Sequence, residues 1–204
     1  MIPSYWEKAK CELSCRDEVL SSLIGRYPGI SLVRRADSFS TLARSIVGQQ
    51  ISVKAAESVW QRVLALAPAA TPEQMLKARR RLAACGLSQR KAEYIADLAR
   101  HFADGRIHAR AWPQMEDEAV IAELVQVRGI GRWTAQMFLI FNLLRPDVLP
   151  LDDLGLQRAI GLHYFDGERV ALERMRALAS GWAPWRSVAT WYLWRSLDPL
   201  PVEY

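Results

Sequence analysis

Two adjacent aspartates, Asp152 and Asp153, stand in the segment VLPLDDLGLQR, where an apolar stretch gives way to a helical pattern. A carboxylate can stabilise positive charge that develops on a substrate, and it can equally accept backbone N–H groups at the start of a helix. Aspartate is common at helix N-termini, so from these residues alone helix capping is the favoured interpretation for both.

A second candidate is Gly129-Ile130-Gly131, followed by Arg132, between two segments with helical periodicity. Glycine is about 1 kcal/mol worse than alanine inside a helix, so the pair predicts a tight turn that needs positive φ or a close backbone approach, with Ile130 filling the space beneath it. The N–H groups that begin the second helix, beside Arg132, suit a phosphate. A dinucleotide fold would need a preceding strand and a third glycine, which are absent here. On the glycines alone, an ordinary turn between helices is favoured.

The surrounding motifs change that balance. The segment LVQVRGIG, residues 124–131, resembles the helix-hairpin-helix motif of DNA-binding proteins. Together with GIGRWTA, LPLDD and WAPWRS, it is similar to the HhH-GPD superfamily of DNA base-excision glycosylases, and within that superfamily to the DNA-3-methyladenine glycosylase II branch. IVGQQISVKAA and LSQRKAEYI extend the resemblance upstream, so that it runs from about Phe39 to Trp194.

The resemblance implies a single HhH-GPD domain over residues 1–204, with the hairpin at about residues 117–144. It implies the compact form, without the extra N-terminal domain of larger bacterial members, and we expect a monomer. The iron–sulfur branch of the superfamily carries four grouped cysteines near its C-terminus. Here the last cysteine is Cys85, so no such cluster and no cofactor is expected.

By motif position, Asp153 matches the catalytic aspartate of the family. An N-glycosidic bond breaks through an oxocarbenium-like sugar, which a carboxylate beside it can stabilise while it orients or activates a water. Relatives that cut the strand use a lysine, and the matching position here is Trp133. The resemblance therefore implies a monofunctional glycosylase that leaves an abasic site.

The family flips its target base out of duplex DNA, and the flipped base must stack on a side chain. By resemblance, Trp194 belongs to the base pocket, with Trp133, Met137 and Asp152 as further substrate contacts. A cationic alkylated purine over an indole face gains about 0.5–2 kcal/mol. The remaining C-terminal tryptophans are expected in the core at helical spacing: Trp182, Trp185 and Trp191.

The resemblance also implies how duplex DNA is held. Gln50 takes the position of the residue that fills the gap left by the flipped base, although a polar helix end is the competing interpretation for Gln49-Gln50. A structural monovalent cation, Na⁺ or K⁺, is implied on the backbone carbonyls of Val125, Val127 and Ile130. The expected DNA contacts are Gln49, Gln50, Gly129, Gly131, Arg132, Trp133 and Thr134.

The elements that must position these residues are nearly all helical, because apolar residues recur at helical spacing along the chain. We predict an all-α, compact two-lobed bundle of about ten helices. The segment ISLVRR, residues 30–35, is the one candidate strand. The hairpin helices are predicted over 115–127 and 131–144. Other helix starts are predicted at Ser52, Thr71, Ser88, Asp153, Glu168 and Pro184.

Composition sets broader limits. Of the 204 residues, 50% are hydrophobic, and no apolar run approaches the ~18 residues of a membrane span. The N-terminus, MIPSYWEKAKCELSC, lacks the apolar segment of a signal peptide, so a cytoplasmic protein is the default expectation. With the resemblance to a DNA repair family, the expected location is the bacterial nucleoid. A net charge of +5 is a mild hint of a polyanionic partner. Cys11 and Cys15 could share a helix face, but buried or incidental thiols are favoured over a metal site.

Two alternatives to a repair enzyme remain: a helix-hairpin-helix DNA-binding module without chemistry, and a wholly structural helical adaptor. The paired aspartates and the tryptophan-rich C-terminus favour the enzyme. Among its lesions, 3-methyladenine, 7-methylguanine, hypoxanthine and ethenoadenine stay open.

Overall fold

The computed structural model describes residues 2–33 and 37–197, in which all regular structure is helical. The all-α fold class is therefore confirmed. The contacts within the chain divide the described residues into two units: residues 2–33 with 139–197, and residues 37–138. This division agrees with the two expected lobes, while the single domain over 1–204 stays a prediction.

Eleven α-helices occur in the described residues, against the ten or so predicted. They are α1 (Trp6–Arg16), α2 (Glu18–Arg26), α3 (Ser38–Gly48), α4 (Val53–Leu66), α5 (Pro72–Ala78), α6 (Gln89–Ala103), α7 (Asp117–Leu124), α8 (Arg132–Phe141), α9 (Leu154–Tyr164), α10 (Leu172–Ser180) and α11 (Arg186–Leu197). Short 3₁₀ helices occupy Leu82–Cys85 and Trp112–Gln114.

The first unit is built around aromatic side chains of α1 and α11. The Trp6 ring meets Trp191 edge to face at 5.3 Å and lies on Tyr192 at 5.9 Å. Asp17 begins α2 by accepting the Leu20 N–H, and its other carboxylate oxygen accepts hydrogen bonds from the hydroxyl of Tyr164 and the indole of Trp182. One part-buried network thus joins α2, α9 and the segment before α11. Trp194 lies in α11.

The second unit has its own aromatic core. Phe39, Phe102, Trp112 and Phe138 form a chain of edge-to-face contacts with ring centroids 5.2, 6.2 and 5.2 Å apart. Such pairs contribute about 0.5–1.5 kcal/mol each beyond the area that they bury. These ring contacts join α3, α6 and the hairpin helix α8 in one core, so the hairpin helix is held by tertiary packing.

Side-chain caps confirm four of the predicted helix starts. In each, the side-chain oxygen of the capping residue accepts the backbone N–H three residues further along: Ser52, Thr71, Ser88 and Asp153. This is the expected geometry for serine, threonine and aspartate at the N-cap.

The predicted helix from Glu168 was wrong, because α10 begins only at Leu172. The Glu168 N–H bonds to the carbonyl of Phe165, and a Cβ on Gly161 would lie 2.7 Å from the carbonyl oxygen of Glu168. The chain reverses through Asp166 and Gly167, both at positive φ. Glu168 is therefore part of a turn, its carbonyl lies against Gly161, and the helix begins four residues later.

Other boundaries also differ from the prediction. The hairpin helices are shorter than 115–127 and 131–144, because the N–H of Val127 bonds three residues back in a turn and Leu144 adopts positive φ. The last helix begins at Arg186, two residues after Pro184. Residues 30–33 form no strand, and Arg34 and Arg35 lie outside the described residues. None of the helices in the described part of the chain has the length and apolarity that crossing a bilayer requires.

Candidate active site and nucleic-acid interface

The loop that leads to Asp153 is fastened to the start of α11. Arg186 donates from Nε and Nη2 to the two carboxylate oxygens of Asp147 at 2.7 and 2.8 Å. Beside this ion pair, the buried Ser187 accepts the Val148 N–H at 2.9 Å, and its own N–H bonds to the carbonyl of Pro146 at 3.0 Å. The motif WAPWRS is therefore bonded to residues 146–148, directly before LPLDD, which fixes the loop that leads to the aspartates.

Asp153 is oriented by two donors that converge on one oxygen. Its Oδ1 accepts the Leu156 N–H at 2.7 Å and the indole Nε1–H of Trp194 at 2.8 Å. Its own N–H bonds to the carbonyl of Pro150 at 3.0 Å. Asp152, by contrast, is exposed and does not cap α9. Capping and chemistry are therefore compatible at Asp153, since one oxygen serves the helix and the side chain is held in a fixed orientation.

Trp194 is half-buried and lies parallel to Phe141, with ring centroids 5.8 Å apart and an interplanar angle of 15°. A Cβ on Gly155 would stand 3.1 Å from Asp153 Oδ1 and 3.4 Å from the Trp194 ring, so the missing side chain lets the two residues meet. The prediction that the other C-terminal tryptophans pack in the core is confirmed, since all three are buried: Trp182, Trp185 and Trp191.

The two glycines of the hairpin turn have different roles. Gly129 has a φ of +86°, and a Cβ there would overlap the ring of Tyr94. Ile130 is buried, as expected. Gly131 has no positive φ, and no atom lies within 4 Å of the position that its Cβ would take. The expectation that both glycines serve the turn is therefore right for Gly129 and wrong for Gly131.

This difference predicts opposite outcomes for the same substitution. Gly129→Ala should lower the free energy of unfolding by about 1–3 kcal/mol, because it forces a Cβ into positive φ and against an aromatic ring. Gly131→Ala should change it by less than about 0.5 kcal/mol. Urea denaturation of the two variants measures the contrast. Equal stabilities would show that Tyr94 does not pack beneath the turn.

The N-terminus of α8 presents polar groups to solvent. The helical hydrogen bonds begin with the Ala135 N–H and the Gly131 carbonyl at 3.0 Å, so the N–H groups of the three residues before Ala135 precede the first helical bond. Gly131, Arg132 and Trp133 are exposed. The buried side chain of Thr134 instead faces the unit's interior, so this residue can offer a phosphate only its backbone N–H.

Arg132 forms a two-pronged ion pair with Glu118 of α7 through both of its terminal nitrogens. The hydrogen bonds from Arg132 hold the pKa of Glu118 below its usual value. Both side chains are well exposed, so this pair contributes little to stability. It does keep the guanidinium at the start of α8, next to the backbone N–H groups.

The carbonyls predicted to hold a monovalent cation lie in the hairpin turn. The carbonyl of Val127 accepts the Ile130 N–H at 3.1 Å. Those of Val125 and Ile130 accept no hydrogen bond from the described residues. Carbonyl oxygens without a donor suit a hard cation, so two of the three predicted ligands fit this role.

The predicted wedge segment follows α3. Gln50 is exposed and has a φ of +58°, which is uncommon for a residue other than glycine. Gln49 instead turns inward and donates from Nε2 to the carbonyl of Gly129 at 2.8 Å. The two neighbouring glutamines therefore differ: Gln50 is presented outward, and Gln49 joins its loop to the hairpin.

The structure divides the predicted site residues between the two units. Asp152, Asp153 and Trp194 belong to the first unit, while Trp133, the buried Met137, the hairpin turn and the wedge segment belong to the second. Sequence reasoning missed Phe141 and three residues of α6. The latter carried one available clue, a regular three-residue spacing along one helix face: Lys91, Tyr94 and Asp97.

Comparison with known proteins matches residues 43–184 to a family described as HhH-GPD superfamily base excision DNA repair protein. DNA-3-methyladenine glycosylase 1 of Schizosaccharomyces pombe is 32% identical over 199 residues, which are 93% of this chain and 86% of that protein. Some curated relatives are much longer than the matched part: in one from Bacillus subtilis, 43% identical over 111 residues, it is 39% of the protein and 54% of this chain.

Solved structures give the same result over the whole length. A DNA-3-methyladenine glycosidase from Bacillus halodurans superposes with a TM-score of 0.88 and 34% identity, covering 100% of this chain and 95% of that one. The 3-methyladenine DNA glycosylase of Schizosaccharomyces pombe, solved in complex with abasic DNA, gives a TM-score of 0.80 and 29% identity, covering 97% and 99%. The helical hairpin, the capped aspartate that follows it and these matches together place the chain in the HhH-GPD superfamily of base excision DNA repair proteins.

Proposed function

We propose that this chain is a monofunctional DNA glycosylase that removes alkylated purines of the 3-methyladenine type from duplex DNA and so starts base-excision repair. The observation that carries the proposal is the carboxylate of Asp153, held at the start of α9 by the Leu156 N–H and the Trp194 indole. A carboxylate already fixed in place can stabilise the oxocarbenium-like sugar without reorganising in the transition state.

The leaving group explains why one carboxylate suffices. An alkylated purine is cationic in the DNA and departs as a neutral base, so the reaction needs no strong general acid. Water then adds to C1′ of the sugar on the side that Asp153 faces, and the proton that it loses passes to this carboxylate and from there to solvent. Trp133 occupies the position at which lyase relatives carry a lysine, so this chain lacks that amine nucleophile and leaves an abasic site in an uncut strand.

Substrate recognition follows the same logic. By motif position, we assign base contacts to Trp194 and the exposed Asp152 in the first unit and to Trp133 and Met137 in the second. Gln50 fills the gap in the duplex. We take the functional form to be a monomer, since one copy of the chain carries both the carboxylate and the hairpin. We place its action at the bacterial nucleoid because its proposed substrate is duplex DNA.

The hairpin binds the DNA backbone rather than its sequence. The first turn of α8 offers N–H groups and the guanidinium of Arg132, and the open space at Gly131 leaves room for a phosphate. Glu118 competes with that phosphate for Arg132. A monovalent cation on the carbonyls of the turn would supply a fixed positive charge beside the same phosphate.

Gly131→Asp should weaken binding to every duplex alike, by about tenfold or more, because it puts bulk and negative charge where the phosphate docks. The rate of base release at saturating enzyme should remain. The measurement compares dissociation constants for methylated and undamaged duplexes with single-turnover rates. Loss of affinity for the methylated duplex alone would mean that the hairpin reads the lesion, which this proposal excludes.

The cation proposal has a separate expected result. Because the ion is monovalent and structural, a divalent-metal chelator should leave base release intact, whereas replacing K⁺ and Na⁺ by a bulky organic cation at equal ionic strength should weaken duplex binding. Complete inhibition by the chelator would contradict this assignment.

The proposed function as a whole is tested by incubating the protein with methylated duplex DNA and separating the products. We expect free 3-methyladenine, an alkali-labile but uncut strand, and no covalent adduct after borohydride reduction. Salt-dependent DNA binding without base release would identify a non-catalytic helix-hairpin-helix protein, and the absence of both would identify a structural adaptor. A robust borohydride adduct would reveal an amine nucleophile and overturn the argument from Trp133.

A further inference from the structure

One face of α6 contacts both loops that are expected to meet DNA. Lys91 donates from Nζ to the carbonyls of Val47 and Gln49, at 2.8 and 2.6 Å. These carbonyls belong to the last turn of α3 and the residue after it, where helix ends carry partial negative charge. The ammonium group thus fixes the path of the chain directly before Gln50.

The same face of α6 also holds the hairpin turn. Asp97, six residues after Lys91, accepts the backbone N–H of Arg128 at 3.0 Å. Between them, the Tyr94 ring packs directly beneath Gly129. Burial acts to raise the pKa of Asp97, but the hydrogen bonds and the cations around it more than offset this and hold the pKa below its usual value. Asp97 is therefore charged when it accepts the hydrogen bond from the turn.

The two loops are also joined directly, by the hydrogen bond from Gln49 Nε2 to the Gly129 carbonyl at 2.8 Å. Four side chains, Gln49, Lys91, Tyr94 and Asp97, form a continuous set of contacts from the Gln50 loop to the hairpin; we call this set the α6 brace. All four lie in the second unit. Partial burial lowers the pKa of Lys91, a cost that a lysine serving only solubility would not incur.

We propose that the α6 brace positions Gln50 for insertion, so that docking of the hairpin on the phosphate backbone drives this residue into the base stack. Lys91 and Gln49 are then positioning residues, and Gln49 acts on its neighbour rather than on DNA. The inference rests on the proposed function, because it takes Gln50 as the residue that fills the gap.

The coupling has a physical reason. Opening a base pair costs a few kcal/mol. A flexible loop would change its own conformation at lower cost and would not insert Gln50 into the base stack. Gln50 has a backbone conformation that few residues other than glycine adopt, so its loop needs external support to keep it. Two charge-assisted hydrogen bonds from Lys91 and a neutral one from the Gln49 amide provide that support by fixing the chain directly before Gln50.

The test reads insertion separately from catalysis. A duplex with a tetrahydrofuran abasic analogue beside 2-aminopurine reports unstacking by its fluorescence when the wild-type protein binds. We expect Lys91→Met to lower the rate or amplitude of this rise about tenfold, and Lys91→Arg to restore most of it. Lys77→Met removes the same charge from an exposed position on α5 of the same unit and should behave as wild type.

A double-mutant cycle decides whether Lys91 acts through Gln50. If it does, Lys91→Met should have little further effect in a Gln50→Ala background. If Lys91→Met lowers the fluorescence rise equally in the wild-type and Gln50→Ala backgrounds, Lys91 acts on overall stability or on a phosphate, and the proposal is overturned. A normal fluorescence rise in either single variant would overturn it as well. Failure of wild-type protein to release methylated bases would instead refute the proposed function, since the fluorescence assay does not depend on catalysis.

Discussion

Replacing Asp153 by asparagine should leave the protein folded and able to bind DNA, while single-turnover release of 3-methyladenine falls at least about a hundredfold. The substitution removes the negative charge and little else. Asparagine is as good an N-cap as aspartate, so its carbonyl oxygen can still accept the Leu156 N–H and the Trp194 indole. The loss therefore measures the electrostatic contribution to the transition state.

The experiment compares excision rates at saturating enzyme, with the melting temperature and the affinity for an undamaged duplex measured in parallel. Asp152→Asn makes the same change one residue away, at an exposed side chain that does not cap α9. Its effect should stay below about tenfold, the range of a peripheral contact. Near-normal turnover by Asp153→Asn would remove this residue from the chemistry and leave it as a helix cap.

The elements around this site could be predicted where local chemistry decides them. Ser52, Thr71 and Ser88 begin helices because a short side chain can reach the N–H three residues on, and that rule needs no tertiary structure. Helix boundaries that no side-chain cap marks were predicted less well. Glu168 has a helical sequence after it, but its carbonyl packs against Gly161, and such a contact is invisible in the local pattern.

In the site, too, the features decided by local sequence could be predicted, and those decided by tertiary contacts could not. The glycine turn and the capped aspartate could be located from their motifs. The bond from Trp194 to Asp153 joins residues 41 positions apart, and no spacing rule predicts it. Likewise, Lys91 and Asp97 look like the solvated face of an amphipathic helix, although both bind backbone groups of other loops. The spacing of Lys91 and Asp97 indicates a shared helix face, but the backbone groups that they bind depend on tertiary geometry, so the sequence pattern does not identify those partners.

Trp194 should prove to have two separable roles, because its N–H and its ring face serve different partners. Trp194→Phe keeps an aromatic face on Phe141 but loses the hydrogen bond to Asp153. A hydrogen bond to a charged group contributes about 1.5–3 kcal/mol, so this variant should lower excision of cationic 3-methyladenine and of neutral hypoxanthine alike, by about tenfold or more.

Trp194→Leu loses the ring face as well, and with it the attraction of the indole for a cation. Excision of 3-methyladenine should then fall further than that of hypoxanthine, by the ~0.5–2 kcal/mol of a cation–π contact.

Trp185→Phe is the matched control, since Trp185 also donates its indole N–H to a carboxylate, that of Glu12 at 2.8 Å in the same unit. It should lower the melting temperature without changing excision by the folded protein. If Trp194→Leu behaves like this control, Trp194 is a core residue and the base stacks elsewhere. If Trp194→Phe excises both lesions at the wild-type rate while Trp194→Leu does not, the indole N–H does not orient the carboxylate. The position of Asp153 then depends on its helix alone.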